Sequence, residues 1–253
     1  MNITWNAQKY TSDFSFVHKY GEGVMQLLDL PEGASVLDLG CGNGALSALL
    51  AEKGFRVTGM DSSPEQLAIA REKHPGIEFL QSDATDFTLP EPVDAVFANA
   101  VFHWIDPEKQ PSMLRCIFSA LKPGGQLVFE MGGSGNCGAI HAALSEEFQR
   151  RGLEYDPKKY FPTIGGYAPL LESAGFTVRY AVLFDRPTEL TGDHGVADWI
   201  AMFERTALNC LPDESTRREA ALAAESAVRD RLFRDGKWYA DYVRLRMKAV
   251  KPL

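Results

Sequence analysis

The chain has 253 residues, 45% of them hydrophobic and 24% charged, with a formal charge of −8. That is enough apolar material for a real core, and the length suits one α/β domain with additions. No apolar run reaches the ~18 residues of a membrane helix, Met1–Tyr10 lacks the basic and apolar segments of a secretory signal, and the acidic balance repels phosphate backbones. A cytoplasmic chain is therefore expected, with neither membrane nor nucleic acid as a partner. Cys41, Cys116, Cys137 and Cys210 form no CxxC pair and have no histidine at ligand spacing, so no metal site or disulfide framework is expected. No pattern sets an oligomeric state.

Residues 1–30 carry Trp5, Tyr10, Phe14, Phe16 and Tyr20, and are expected to lay one or two helices over a sheet. Short apolar runs then alternate with helical patterns. Strands are predicted at 35–39, 56–61, 77–81, 95–98 and 126–131, with helices near 44–53, 64–73 and 109–121. Such alternation implies right-handed βαβ units and a largely parallel sheet. Ser63 is placed to cap the helix at 64–73, with Pro64 in its first position and Gln66 completing a capping box. Lys122-Pro-Gly-Gly125 ends the next helix and turns into the fifth strand. Farther on, a helix near 138–151, a strand at 176–184, a helical stretch at 194–234 and a last strand at 238–251 are predicted. The expected division of the single domain is a helical cover at 1–30, a cofactor-binding core at 31–133 and substrate-side elements at 134–253. A helical lid at about 194–234 belongs to the last of these.

The informative stretch is Val36-Leu-Asp38-Leu-Gly40-Cys-Gly42-Asn-Gly44, a strand running through a glycine turn into a helix. Glycines there permit positive φ and close approach of a ligand, at the carboxyl ends of the strands where open α/β sheets bind nucleotides. Gly40-x-Gly42-x-x-Ala45 also satisfies a dinucleotide fingerprint, with Asp61 near the expected ribose acid. Asp38 separates the two ligands. A carboxylate two residues before the first glycine repels a pyrophosphate but suits S-adenosylmethionine, which carries an ammonium and a sulfonium and no phosphate. Asp61, at the end of the second strand, can accept both ribose hydroxyls. Asp83, at the end of the third, can accept from the adenine amino group. Either acid alone could instead be a helix cap or a turn residue.

On these residues the chain resembles the class I methyltransferases. Val36–Gly44 looks like their first motif, Gly59-Met-Asp61-Ser-Ser63 their second and Gln81-Ser-Asp83-Ala84 their third. Asp94–Trp104 and Leu121-Lys-Pro-Gly-Gly125 look like their fourth and fifth. Phe97-Ala-Asn99-Ala-Val-Phe-His103-Trp104 is most similar to the trans-aconitate methyltransferase-like branch of small-molecule enzymes, as are Trp5-Asn-Ala-x-x-Tyr10 and Phe184-Asp-Arg-Pro-Thr188. The resemblance covers about residues 1–135 and implies a Rossmann-like, mostly parallel seven-stranded sheet with helices on both faces and its last strand antiparallel. It implies S-adenosylmethionine as cofactor, held by Asp38, Gly40, Cys41, Gly42, Asp61, Ser62, Asp83, Ala84 and Asn99.

On the acceptor side, Tyr10, Trp104 and Trp199 are candidate substrate contacts, and Tyr160, Phe161, Tyr167 and Phe203 either line the pocket or form lid core. His103 follows the fourth strand, where it is a base, an orienting group or a ring packed beside Trp104. A small-molecule carboxylate is the favoured acceptor, through branch resemblance, and an amine or carbon acceptor is the alternative. Asn99-Ala-Val-Phe102 lacks the double proline common in enzymes that methylate planar amino groups. Arg186 is either a clamp for an acidic substrate or part of an ion pair.

Overall fold

The computed structural model describes residues 16–253. Its first element is helix α1 (Phe16–Met25), followed by β1 (Ser35–Leu39), α2 (Ala45–Glu52), β2 (Arg56–Asp61), α3 (Pro64–Lys73), β3 (Glu78–Gln81) and β4 (Val93–Asn99). Then come α4 (Gln110–Ala120), β5 (Leu121–Gly132), α5 (Gly138–Arg150), α6 (Ile164–Ser173) and β6 (Thr177–Leu190). Four helices follow, α7 (Gly195–Phe203), α8 (Arg205–Leu208), α9 (Glu214–Ala227) and α10 (Arg229–Leu232), and then β7 (Phe233–Arg234) and β8 (Lys237–Val250).

The strands form one sheet in the order β3-β2-β1-β4-β5-β8-β6, with the short β7 paired to β8. β1 to β5 run parallel, and β8 is antiparallel to both β5 and β6. This is the expected Rossmann-like arrangement with a reversed last strand. Buried between helices on both faces, the central strands read as continuous apolar runs. In β1, Val36, Leu37 and Leu39 are all at most 1% exposed. Because the strands are parallel, the turns after β1, β2, β3 and β4 gather at one edge.

α1 closes one face by packing Val24 and Met25 against Leu46, Leu50, Phe97 and Val128. The expected helical cover at 1–30 otherwise lies, up to residue 15 and including Tyr10, outside the described residues. A second apolar cluster joins α5, α7 and α9 to Trp238, Ala240 and Tyr242 of β8. β5, β6 and β8 are cross-linked at Glu130, 3% exposed, which accepts from Arg186 at 2.5 and 2.8 Å and from Arg246 at 2.8 Å. Arg186 thus takes the ion-pair alternative.

Several boundaries differ from the sequence reading. β5 begins at Leu121 rather than Gln126, because Leu121 pairs with Val93 across a register shift. β6 runs on to Leu190, held by pairing with β8 from Thr177↔Val250 to Leu190↔Trp238. The stretch at 194–234 breaks into separate helices, one restarted at Asp213, whose carboxylate accepts from the Thr216 N–H at 2.8 Å. Ser63 does cap α3, accepting from the Gln66 N–H at 3.2 Å, but Gln66 does not complete the box. The Ser63 N–H goes instead to the Asp61 carboxylate at 2.9 Å, a stronger acceptor than a side-chain amide. No helix among the described residues is long and apolar enough to cross a membrane.

Candidate active site

The turn after β1 is built by its glycines. Gly40, Gly42 and Gly44 have φ of 75°, 54° and 80°, the left-handed region. Gly40 and Cys41 both donate their N–H groups to the Met60 carbonyl, at 2.7 and 3.0 Å, which binds the turn to β2. A Cβ on Gly40 would lie 2.3 Å from Val101. A Cβ on Gly42 would meet only Gln66 Oε1, at 3.9 Å, so this part of the turn is open to a ligand. That same Oε1 is buried and has no hydrogen-bond partner among the described residues. An open glycine backbone beside an orphaned acceptor fits a ligand carrying hydrogen-bond donors, as S-adenosylmethionine does. Cys41 is buried, and burial pushes its thiol far above the ordinary range, so it is not a nucleophile.

Asp61 joins the two turns: its carboxylate accepts the Gly42 N–H at 2.9 Å and the Ser63 N–H at 2.9 Å. Each oxygen keeps a second lone pair. Asp38, by contrast, lies beneath the turn, 2% exposed, and accepts from the Ser47 hydroxyl at 2.6 Å. Burial raises its pKa to about 7; the Ser47 bond opposes this and the charge of Asp61 adds to it. Asp83 Oδ1 accepts the N–H and hydroxyl of Thr85, each at 2.8 Å, so part of this acid also serves its own turn. Ser62 and Ala84 follow Asp61 and Asp83 in the same two turns, and Asn99 ends β4 beside Ala100, which has a φ of 61°.

Beyond β4, Phe102–Trp104 form a single 3-10 turn that seats His103, 6% exposed, over the end of β5. The Gly132 N–H donates to His103 Nδ1 at 3.1 Å. A neutral ring with Nδ1 accepting carries its proton on Nε2. Burial, with the charges of Arg244 and Lys159 nearby, holds the ring well below the ordinary imidazole range, so it stays neutral. His103 shares a cavity with Ala100, Trp104, Trp199, Phe203 and Arg244. Trp104 and Phe203, stacked at 6.3 Å, also line the adjoining cleft that reaches Asp83 and Ala84. Trp199, 3% exposed, donates its indole N–H to the Tyr242 hydroxyl at 2.6 Å.

Among the described residues, the cofactor candidates sit at or just after the ends of β1, β2, β3 and β4, and His103, Trp104, Trp199 and Phe203 line one cavity, while two aromatic candidates stand apart. Tyr160 and Tyr167 pack into the core, the latter donating to Gln110 at 2.8 Å. Phe161 lines the cavity with Trp199 and Phe203. Lys159 and Arg244 are cavity residues not anticipated from sequence. Lys159 is ion-paired to Glu204 and donates to the Phe203 carbonyl at 3.0 Å. The signal for Arg244 was present in β8: Trp238, Ala240, Tyr242 and Arg244 form one buried period-two row, and an arginine ends it.

A family model described as a methyltransferase domain matches residues 36–125. An uncharacterized methyltransferase of Schizosaccharomyces pombe is 32% identical over 98% of both chains. A trans-aconitate 2-methyltransferase of Azoarcus sp. is 37% identical over 51% of this chain and 51% of its own length, so the chain aligns with about half of that relative. A Bacillus halodurans protein described as a methyltransferase has the same fold, with a TM-score of 0.66 at 20% identity, covering 93% of this chain and 100% of that one. The chain belongs to the class I S-adenosylmethionine-dependent methyltransferases.

Proposed function

We propose that the chain methylates a carboxylate oxygen of a small-molecule acceptor. The observation that carries this is the Gly132 N–H on His103 Nδ1. With that nitrogen occupied and the other protonated, His103 donates a hydrogen bond and does not take a proton. Lys159 in the same cavity is ion-paired to Glu204. The cavity therefore offers orientation without a base. S-adenosylmethionine supplies a methyl group already activated by its positive sulfur. In the transfer, a carboxylate oxygen provides the electron pair of the new C–O bond. The C–S bond breaks, its pair leaves on sulfur as a neutral thioether, and no proton moves. A carboxylate is ionised at neutral pH and needs no base, whereas an amine or phenol must lose a proton.

In this reading the Gly40–Gly44 turn and Asp61 hold the cofactor, Asp61 through its remaining lone pairs on the ribose hydroxyls. Asp83 and Ala84 lie toward the adenine, and Asp38 favours the cationic end through the turn. His103 Nε2–H orients the acceptor, while Trp104 and Trp199 exclude water. The match to trans-aconitate methyltransferases over half the chain supports a carboxylate acceptor.

The test is release of S-adenosylhomocysteine with carboxylic acids, amines and phenols of matched size, between pH 6 and 9. Turnover of a carboxylic acid with a flat profile is expected. Turnover confined to amines or phenols, rising with pH, would overturn it.

A further inference from the structure

Arg244 is 8% exposed, and its guanidinium lies over the Tyr242 ring at 4.1 Å. The other cations around it are ion-paired: Lys159 with Glu204, and Arg186 and Arg246 both with Glu130. Arg244 has no carboxylate partner and makes no side-chain hydrogen bond among the described residues. An unpaired buried cation is costly, and a π face offsets little of that cost. In a chain of charge −8, where acidic partners abound, the omission leaves a positive charge without a carboxylate in a cavity walled by Trp104, Phe161, Trp199 and Phe203. Its place is defined by the sheet: Arg244 pairs with Gly132, the residue whose N–H holds His103. The fork and the imidazole therefore line the same cavity, Arg244 from β8 beside Gly132 and His103 from the 3-10 turn that the Gly132 N–H anchors.

We infer that Arg244 is the specificity-determining residue of the acceptor site, binding a second carboxylate that is not methylated. This rests on the carboxylate reading above and adds to it that the acceptor bears at least two carboxylates and leaves as a monoester. The division follows from chemistry. A guanidinium grips both oxygens of one carboxylate in a fork and withdraws their electron density, which is poor treatment for a nucleophile. His103 offers a single donor, which leaves one oxygen of the reacting carboxylate bare. A lysine at position 244 would supply charge without the fork.

The experiment compares dicarboxylates from malonate to adipate, and trans-aconitate, with their half-amides, in the wild-type enzyme, Arg244→Met and Arg244→Lys. Binding of S-adenosylhomocysteine serves as the check that each variant is folded. The wild type is expected to prefer a diacid over its half-amide by about a hundredfold or more in kcat/KM, chiefly through KM. Arg244→Met should bring the two within about threefold of each other by losing the diacid, with Arg244→Lys between. A preference retained in Arg244→Met, or a wild type indifferent to the second carboxylate, overturns the assignment while leaving carboxylate methylation in place. If the wild type methylates no carboxylic acid, the reading above fails. The arginine is then tested by whether trans-aconitate raises the melting temperature of the wild-type complex with S-adenosylhomocysteine. A shift lost in Arg244→Met keeps the anion site, and no shift overturns it.

Discussion

Gly132 donates its backbone N–H to Nδ1 of His103 across 3.1 Å, from a strand end to a buried ring 29 residues earlier in the chain. This one bond decides the ring's tautomer, because neutral imidazole has one donor and one acceptor. It turns an ambiguous histidine into a donor.

His103→Gln should therefore be mild. Glutamine keeps a donor, and kcat is expected to stay within about tenfold of the wild type, because no contribution of 10²–10⁴-fold from a general base is lost. Steady-state rates at saturating S-adenosylmethionine should be flat from pH 6 to 9 in both proteins, since the wild-type ring is held neutral throughout and glutamine does not titrate. A loss of about a hundredfold or more with cofactor affinity intact would show that the ring moves a proton after all.

Asp61→Ala removes the acceptor that fastens the Gly42 and Ser63 amides and, in the proposed role, the partner of two ribose hydroxyls. Hydrogen bonds to a charged group contribute roughly 1.5–3 kcal/mol each, so affinity for S-adenosylhomocysteine should fall by about two decades or more. Calorimetric titration decides; unchanged affinity removes Asp61 from the site.

Asp38 makes stability depend on pH. Its native pKa of about 7 lies above its ordinary 3.8, chiefly through burial. The native state thus holds a proton that the unfolded chain releases. This favours folding at low pH and is lost as pH rises from about 4 through about 7, by roughly 4 kcal/mol in all. Asp38→Asn cannot titrate. Urea unfolding of the cofactor-free proteins should show the variant gaining on the wild type between pH 5 and 7 and a constant difference above pH 8. A difference independent of pH would contradict the burial argument.

Lys159 and Glu204, with side chains 4% and 1% exposed, are an ion pair withdrawn from water, to which Tyr155 adds a hydroxyl at 3.0 Å. Lys159→Met alone leaves a buried carboxylate without its counter-ion and should cost about 3–5 kcal/mol in urea unfolding. Adding Glu204→Gln should recover most of that loss. If the double variant is as unstable as the single one, the lysine acts through packing on Trp104 rather than through charge.

What was legible in the sequence was local. β1 and β2 appear with the predicted limits because apolar runs end at glycines and acids. The Gly40–Gly44 turn and Asp61 were found because their bonds close within about two dozen residues. The capping box failed through competition: the carboxylate at Asp61 won the Ser63 amide and left Gln66 facing the site. Arg186 and Arg244 look alike in sequence, since both lie on late strands. Only the sheet register shows that the first meets Glu130, 56 residues away, and the second meets no acid among the described residues. The cavity's aromatic wall was likewise readable as a list of residues but not as a surface. Phe161 lines the cavity from the segment before α6, whereas Tyr167, within α6, packs into the core.

The central claim is that the transferred methyl group ends on a carboxylate oxygen, and the bond it forms can be read directly. Enzyme is incubated with S-adenosylmethionine labelled in the methyl group and with trans-aconitate or the best acid from the panel. The product is separated and treated with mild base. A methyl ester hydrolyses and releases its label as volatile methanol, in molar equality with the S-adenosylhomocysteine formed, and this is the predicted result. Label that stays on the product through base treatment marks a bond to nitrogen or carbon and would contradict the account.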